Sequence, residues 1–217
     1  MNECKPLILI GGGGHASVLA DILLGQGREI LAVICPADIS SRAVFTGILH
    51  LTRDEDIERF SPEKVLLVNG IGMMPRSTIR KLITQKFIDF GYSFETVIAS
   101  DASVSKFAEI RTGAQILQHV RVQTGAVIAE HTIVNTGALI EHDCCIGTYN
   151  HIAPNATLCG EVSTAEDVYI GANATIVQGL SLKRQTIVGA GATLVKNIEG
   201  HSTCYPARSF IKLTEDN

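Results

Sequence analysis

From Ile98 onward the chain repeats itself every six residues. Ile98, Val104, Ile110, Ile116, Val122, Ile128, Val134, Ile140, Ile146, Ile152, Leu158, Thr164, Ile170, Ile176, Leu182, Val188 and Leu194 form one unbroken series, and only Thr164 departs from Ile, Val or Leu. Four residues further on, small side chains dominate: Ala102, Ala108, Ala114, Ala126, Ala138, Ala156, Ala174 and Ala192. A heptad coil cannot hold this phase, and a 3.6-residue period loses it within a few turns. The pattern predicts a parallel β-solenoid in which each hexad makes one short strand and a turn, and three hexads close a triangular coil. With strands stacked roughly 4.8 Å apart, nearly six coils form a prism about 28 Å long. Sparse aromatics (5%, no Trp) and 20 glycines suit backbone layers that stack this closely.

Residues 1–97 follow other periods. Short apolar runs at 5–10, 29–35 and 64–72 read as strands, with helices expected at 16–27, 53–60 and 75–91. The last expected helix has Pro75 at its start, Gly91 at its end, and Ile79, Leu82, Ile83 and Phe87 on one stripe. This alternation predicts a Rossmann-like α/β unit with ligand space beyond the C-terminal ends of its strands. The expected organisation is therefore an α/β unit over 1–97, a β-helix over 98–198 and a tail over 199–217.

A net charge of −4 offers no global basic field for nucleic acid or a membrane surface. No stretch approaches the ~20 apolar residues of a membrane span, and the run "PLILI" is too short for a signal peptide. Six cysteines without a CxxC fit reduced thiols in a cytoplasm.

Two motifs carry chemistry. "GGGGHA" (11–16) follows a strand and opens a helix, where free N–H groups and the helix dipole favour an anion. Ser17 replaces the third glycine of a dinucleotide fingerprint, so a plain tight turn is the competing reading. Four glycines with His15 exceed what a turn needs, which favours diphosphate binding at Gly12, Gly13 and Gly14. Arg76, Arg80 and Lys81 stand where a phosphate could be met; a solvated helix face fits Lys81 better than Arg76.

The second motif is "ALIEHDCCIG" (138–147), which alone admits a metal site, a redox pair, a nucleophile or a lone base. The hexad phase turns Ile140 and Cys144 inward and leaves His142 on a face, flanked by Glu141 and Asp143. Gly160 lies eighteen residues on, one coil above, as an apparent opening and a source of an oxyanion-binding N–H. His119 and His131 read as exposed histidines on a polar face. No two histidines stack eighteen apart and no HxxxxH pair is present, so no metal is expected. What remains is general base catalysis by His142, with Asp143 or Glu141 orienting its ring. His151 stacks over Tyr169 and Ile133, where packing and ligand contact compete.

The hexad array with these motifs resembles the left-handed β-helix of the hexapeptide-repeat acyltransferases. "GGGGHA" and "IEHDCCIG…NH" are similar to the branch that acetylates amino groups of nucleotide-linked sugars in bacterial glycan synthesis (PglD, PerB and VioB type), and to the related sialic acid O-acetyltransferases. The resemblance implies the left hand of the helix, acetyl-CoA as co-substrate, and a homotrimer with sites between subunits. It implies direct attack, without an acyl-enzyme, by the 4-amino group of a dTDP- or UDP-linked 4-amino-4,6-dideoxy sugar. By the same resemblance His15 contacts the phosphates, Asp38 grips the base, and His151 lies near acceptor or thioester. Gly171, Ala172 and Gly189 would line the pantetheine arm, although small residues at tight turns explain them equally. Pro206 and Ala207 remain from a terminal "GVPA" motif, and Lys196 and Arg208 would meet CoA phosphates. A sialic acid O-acetyltransferase is the near alternative; a zinc lyase and a non-catalytic scaffold are the remote ones.

Overall fold

The computed structural model describes residues 4–207. Strands β1 (Leu7–Ile10), β2 (Ile30–Ile34), β3 (Leu49–Leu51) and β4 (Leu66–Asn69) form an all-parallel sheet in the order β3-β2-β1-β4. Central β1 is apolar throughout because both its faces are covered. Leu7 and Leu9 pack with Leu19 and Leu23 of helix α1 (Gly14–Gly25), while Ile8 and Ile10 pack with Phe87 of helix α2 (Ile79–Asp89). The strand order reverses between β1 and β4, which opens a crevice between the loops that follow them.

Several local expectations shift. Helix α1 begins at Gly14, two residues earlier than expected. The segment 53–60 holds only a six-residue 3-10 helix, Asp54–Arg59, and the three-residue β3 was too short to show a period. Pro75 lies in a turn ahead of α2 rather than at its start. The apolar stripe on α2 is also rotated. The helix buries Arg80, Thr84 and Phe87, whereas Ile79 and Leu82 are 59% and 64% exposed. The cause is Asn69 at the end of β4, which is buried and donates through Nδ2 to Arg80 O (3.2 Å) and Thr84 Oγ1 (2.9 Å). A buried amide must be paired, and that requirement outweighs two leucine-sized contacts.

The rest of the described chain is a left-handed parallel β-helix. Eighteen two-residue strands, from Val97–Ile98 to Thr203–Cys204, make three parallel sheets of seven, six and five strands. The seven-stranded sheet, here face I, begins at Val97–Ile98; face II begins at Ser103–Val104 and face III at Glu109–Ile110. Strands pair at a spacing of eighteen residues, as in Cys145 with Val127 and Ser163. Near the end the coil contracts, so that Val188 pairs with Cys204 and Leu182 bridges to Ile198. A strand thus lies within the stretch expected as tail. The repeated Ile, Val and Leu fill the prism axis with the corner alanines, and Ala114, Ala126, Ala138, Ala156 and Ala174 are fully buried.

From residue 113 to 191 every corner turns on a left-handed residue. Every sixth position from Gly113 to Gly191 has φ between 52° and 73°, and Gly, Asn, Asp and His supply most of them. These types tolerate this region best.

The exception at Thr164 has a structural cause. Asn150, fully buried at the corner between faces III and I, points inward where other coils hold Ala114, Thr132, Val168 and Thr186. Its Nδ2 donates to Thr164 Oγ1, and its Oδ1 accepts from Val168 N at 2.6 Å. Replacing Thr164 with Val keeps the volume and strands Asn150 Nδ2, so it should destabilise the chain by about 1–3 kcal/mol. A chemical-denaturation midpoint equal to that of the parent would refute this account.

Candidate functional site

The glycine turn after β1 stands open on one side. Gly12 is packed beneath Ile39 and Cys35, where a Cβ would collide, while a Cβ on Gly13 or Gly14 would meet nothing within 4 Å. Gly13 caps α1 without a side-chain bond, and no acidic residue occupies the first turn. Gly13 and Gly14 therefore present amides that no group among the described residues pairs, at the positive end of a helix dipole. Arg42, which the sequence did not single out, approaches from the β2 side and donates through Nη1 to Ser17 Oγ at 3.2 Å. Arg42 shares a cavity of about 330 Å3 with Asp38, Ser40 and His50. Asp38 accepts from Ser40 N and Oγ at 2.9 and 2.8 Å, which holds its carboxyl below the usual range.

Behind the crevice, the α/β unit meets face I through a polar seam. Arg80 is 3% exposed, and its Nη1 donates to Asn69 O (2.9 Å) and Ile71 O (2.6 Å). Its Nε and Nη2 have no hydrogen-bond partner among the described residues, and burial pulls the guanidinium down to about 9. Arg80 thus braces the crevice wall from within, and it is not a free phosphate ligand. Gln115 on face I donates through Nε2 to Asn69 O at 2.8 Å and accepts from His15 Nε2 at 2.8 Å. Burial, reinforced by Arg80, pushes His15 down to about 4. His151 is 7% exposed, lies flat against Tyr169 with centroids 4.9 Å apart, and is likewise pushed down to about 4 by burial, His15 and Arg80. His131 proves buried rather than exposed. It stacks on Tyr149 at 5.0 Å with its edge to Phe94, because the α/β unit covers that corner.

Lys81 reaches across the same seam to Glu166 (3.4 Å) and Asp167 (3.3 Å) and is held above its usual range. Arg76, at φ 65°, touches Thr203 Oγ1 at 3.5 Å and helps line a cavity of about 290 Å3 with Met73, Tyr169, Gln185 and His201. That cavity adjoins His151 through the stacked Tyr169 ring.

His142 stands at the corner between faces II and III, the edge opposite face I. Its Nδ1 lies 2.9 Å from Asp143 Oδ2, and the two side chains are 52% and 62% exposed. A carboxylate accepts only, so Nδ1 carries the proton and Nε2 keeps a lone pair. The bond to Asp143 raises the imidazole above its ordinary value, with Glu141 and Glu161 adding to it. Gly160 does not leave an opening here, because the imidazole itself fills the space. A Cβ on Gly160 would sit 2.5 Å from His142 Nε2. Gln178 and Lys196 continue this column at eighteen-residue intervals, placing Lys196 about 14 Å above His142.

The remaining expected residues lie elsewhere. Gly171 and Ala172 occupy the corner between faces I and II, and Gly171 is roofed by the backbone of Gly189 and Ala190. Pro206 passes over Gly189 and Ala207 is exposed. Arg208 lies outside the described residues. In one chain, then, His142, Gly160 and Lys196 share an edge, while Gly12, Gly13, Gly14, His15 and Arg76 lie across the prism on the face I side. Cys144 is buried with its thiol pushed up to about 11, which removes it as a nucleophile at neutral pH. Among the described residues no three His, Cys, Asp or Glu side chains converge to hold a metal, and no helix is long and apolar enough to cross a membrane.

Residues 6–87 match the PglD N-terminal domain. No curated protein matches the sequence. Among solved structures, a histidine-to-asparagine mutant of perosamine N-acetyltransferase from Caulobacter crescentus, in complex with CoA and GDP-perosamine, is 27% identical with a TM-score of 0.83, covering 96% of this chain and 97% of that one. The acetyltransferase domain of PglB from Neisseria gonorrhoeae, in complex with acetyl coenzyme A, is 28% identical with a TM-score of 0.84, covering 95% and 99%. WeeI from Acinetobacter baumannii shares the fold at 21% identity, with a TM-score of 0.78 and coverage of 92% and 96%.

Two outcomes follow from this geometry. His15, His131 and His151 sit near 4 in the folded chain against 6.5 when unfolded, so the unfolded state binds more protons between those values. Stability should be fully present above pH 6.5 and fall as pH drops toward 4, read as melting temperature against pH; a flat profile would contradict neutral buried rings. A Gly160→Ala substitution should displace the His142 ring, visible as loss of its Asp143-linked Nδ1 proton signal in NMR, with little change in melting temperature.

Proposed function

We propose that this chain, a hexapeptide-repeat β-helix bearing a PglD-type N-terminal domain, transfers the acetyl group of acetyl-CoA to the amino group of a nucleotide-linked amino sugar. The observation that carries this reading is the Asp143–His142 pair. It supplies a raised, exposed imidazole with a free Nε2 on a chain that matches CoA-bound sugar N-acetyltransferases almost end to end. The open Gly13–Gly14 amides with Arg42 suit the diphosphate of the sugar nucleotide, and the adjoining cavity with Asp38 suits its base. Arg76 and His151 line the way toward the sugar.

Acetyl-CoA is already activated, so His142 needs only to take the proton from the amino nitrogen as it bonds to the thioester carbon. The tetrahedral oxyanion is met by the Gly160 N–H, and collapse expels the CoA thiolate, which takes the proton from His142. The pantetheine arm would run up the His142 edge toward Lys196, with Gly171, Ala172, Gly189, Pro206 and Ala207 supplied from a neighbouring copy. A homotrimer joins the crevice of one chain to the His142 edge of the next, which is how a site split across the prism becomes whole. The finer reading is a 4-amino-4,6-dideoxyhexose acceptor destined for bacterial surface glycan such as lipopolysaccharide O-antigen, handled in the cytoplasm.

His142→Asn should lower kcat by about 10²–10⁴-fold, the usual worth of a general base, while acetyl-CoA still binds. Asp143→Asn should move the acid limb of the pH–rate profile to lower pH by removing the contact that raises the imidazole. Release of free CoA with dTDP-, UDP- and GDP-linked 4-amino sugars, against free and CMP-linked sialic acid, reads the acceptor. Turnover only with sialic acid would replace this reading by O-acetylation, and turnover unaffected in His142→Asn would remove the base.

A further inference from the structure

We propose that Gln115 is a positioning residue that locks His15 in its Nε2–H form, so that Nδ1 serves the crevice as a hydrogen-bond acceptor for a hydroxyl or amino donor of the sugar nucleotide. This rests on the acetyltransferase reading for the identity of the ligand, though the lock itself does not.

The lock follows from a chain of obligate partners. Asn69 O is a carbonyl and can only accept, so the Gln115 atom 2.8 Å from it is the Nε2–H2 group. The other end of that amide is then Oε1, which is also only an acceptor and lies 2.8 Å from His15 Nε2. His15 must therefore carry its proton on Nε2. Asn69 is itself immobile: its carbonyl also accepts from Arg80 Nη1 at 2.9 Å, and its side chain spans Arg80 O, Thr84 Oγ1 and Ile71 N. A buried guanidinium thus sets a carbonyl, the carbonyl sets an amide, and the amide sets an imidazole. Gln115 is 1% exposed and cannot turn to solvent.

The remaining His15 nitrogen is a lone pair at the mouth of α1, bonded to no group among the described residues. With Arg80 and His151 as its charged and titratable neighbours, the ring stays neutral in neutral solution. A neutral Nδ1 repels a phosphate oxygen, since both are acceptors. The Gly13–Gly14 amides and Arg42 are the anion-facing groups, and His15 reads the donor beside them. Under this proposal His15 meets a donor of the sugar nucleotide rather than the phosphates that the family resemblance implied.

The test begins with the unmodified full-length protein labelled with 15N-histidine, in which long-range 15N–1H correlation at neutral pH separates the two tautomers and the imidazolium. His15, assigned by the signal lost in His15→Gln, should show Nε2–H and a bare Nδ1. A ring protonated at Nδ1, or at both nitrogens, overturns the lock. In Gln115→Leu the signal should become a tautomer mixture, with the sugar-nucleotide KM raised about tenfold, as for one lost hydrogen bond, and the acetyl-CoA KM unchanged. A sugar-nucleotide KM equal to the parent's overturns the acceptor role. His15→Gln, which keeps an acceptor, should retain most of the binding, and His15→Lys should lose it; a Lys variant that binds like the parent marks a phosphate contact instead. If no 4-amino sugar nucleotide is acetylated by the parent protein, the acetyltransferase reading fails while the tautomer measurement still decides the lock.

Discussion

The eighteen-residue coil closure governs everything else in this protein. Each strand is only two residues long, so no strand is stable by itself, and order comes from the ladder between coils and the apolar axis they enclose. The chain must return to the same phase after every circuit, which leaves no freedom at the corners. They turn on left-handed residues at a fixed interval, and side chains there lie over the coil below. His131 over Gly113, Asp143 over Gly125 and Asn155 over Gly137 are three instances of one packing rule, while His142, one residue before its corner, leans onto Gly160 of the next coil. The geometry of the candidate base is thus a product of the solenoid register before it is a product of catalysis.

The second organising element is the polar seam between the α/β unit and face I. Arg80, Asn69, Thr84, Gln115 and His15 run from the interior of α2 to face I, and they join the two halves through hydrogen bonds as well as apolar contact. Such a network is costly if half satisfied and strongly specifying when complete. It fixes the crevice wall against the β-helix, so the glycine turn, His151 and the Arg76 cavity keep a constant relation. Lys81, bound to Glu166 and Asp167 at the rim, contributes less because those groups are partly solvated.

These two constraints separate the chemistry. The phosphate-suited turn belongs to the face I side, and the imidazole with the free Nε2 belongs to the opposite edge. A single copy holds both halves of the proposed reaction without bringing them together, and a symmetric assembly of copies is the economical remedy.

The sequence by itself determined the β-helix, because a six-residue period in Ile, Val and Leu has few structural solutions. It also determined that Ile140 and Cys144 face inward while His142 does not, since phase alone decides orientation. The α/β order was legible, but β3 was too short for periodicity and α2 was read on the wrong stripe. Apolar spacing pointed to Ile79 and Leu82, and only the tertiary structure revealed that Asn69 needed Arg80 and Thr84. Arg42, Gln115 and the burial of His131 were equally invisible, because each depends on a surface contributed by residues far away in sequence. Gly160 was correctly aligned with His142 but wrongly read as empty space. Stacking register can be counted along a chain, whereas the occupant of a gap is decided by which side chain folds into it.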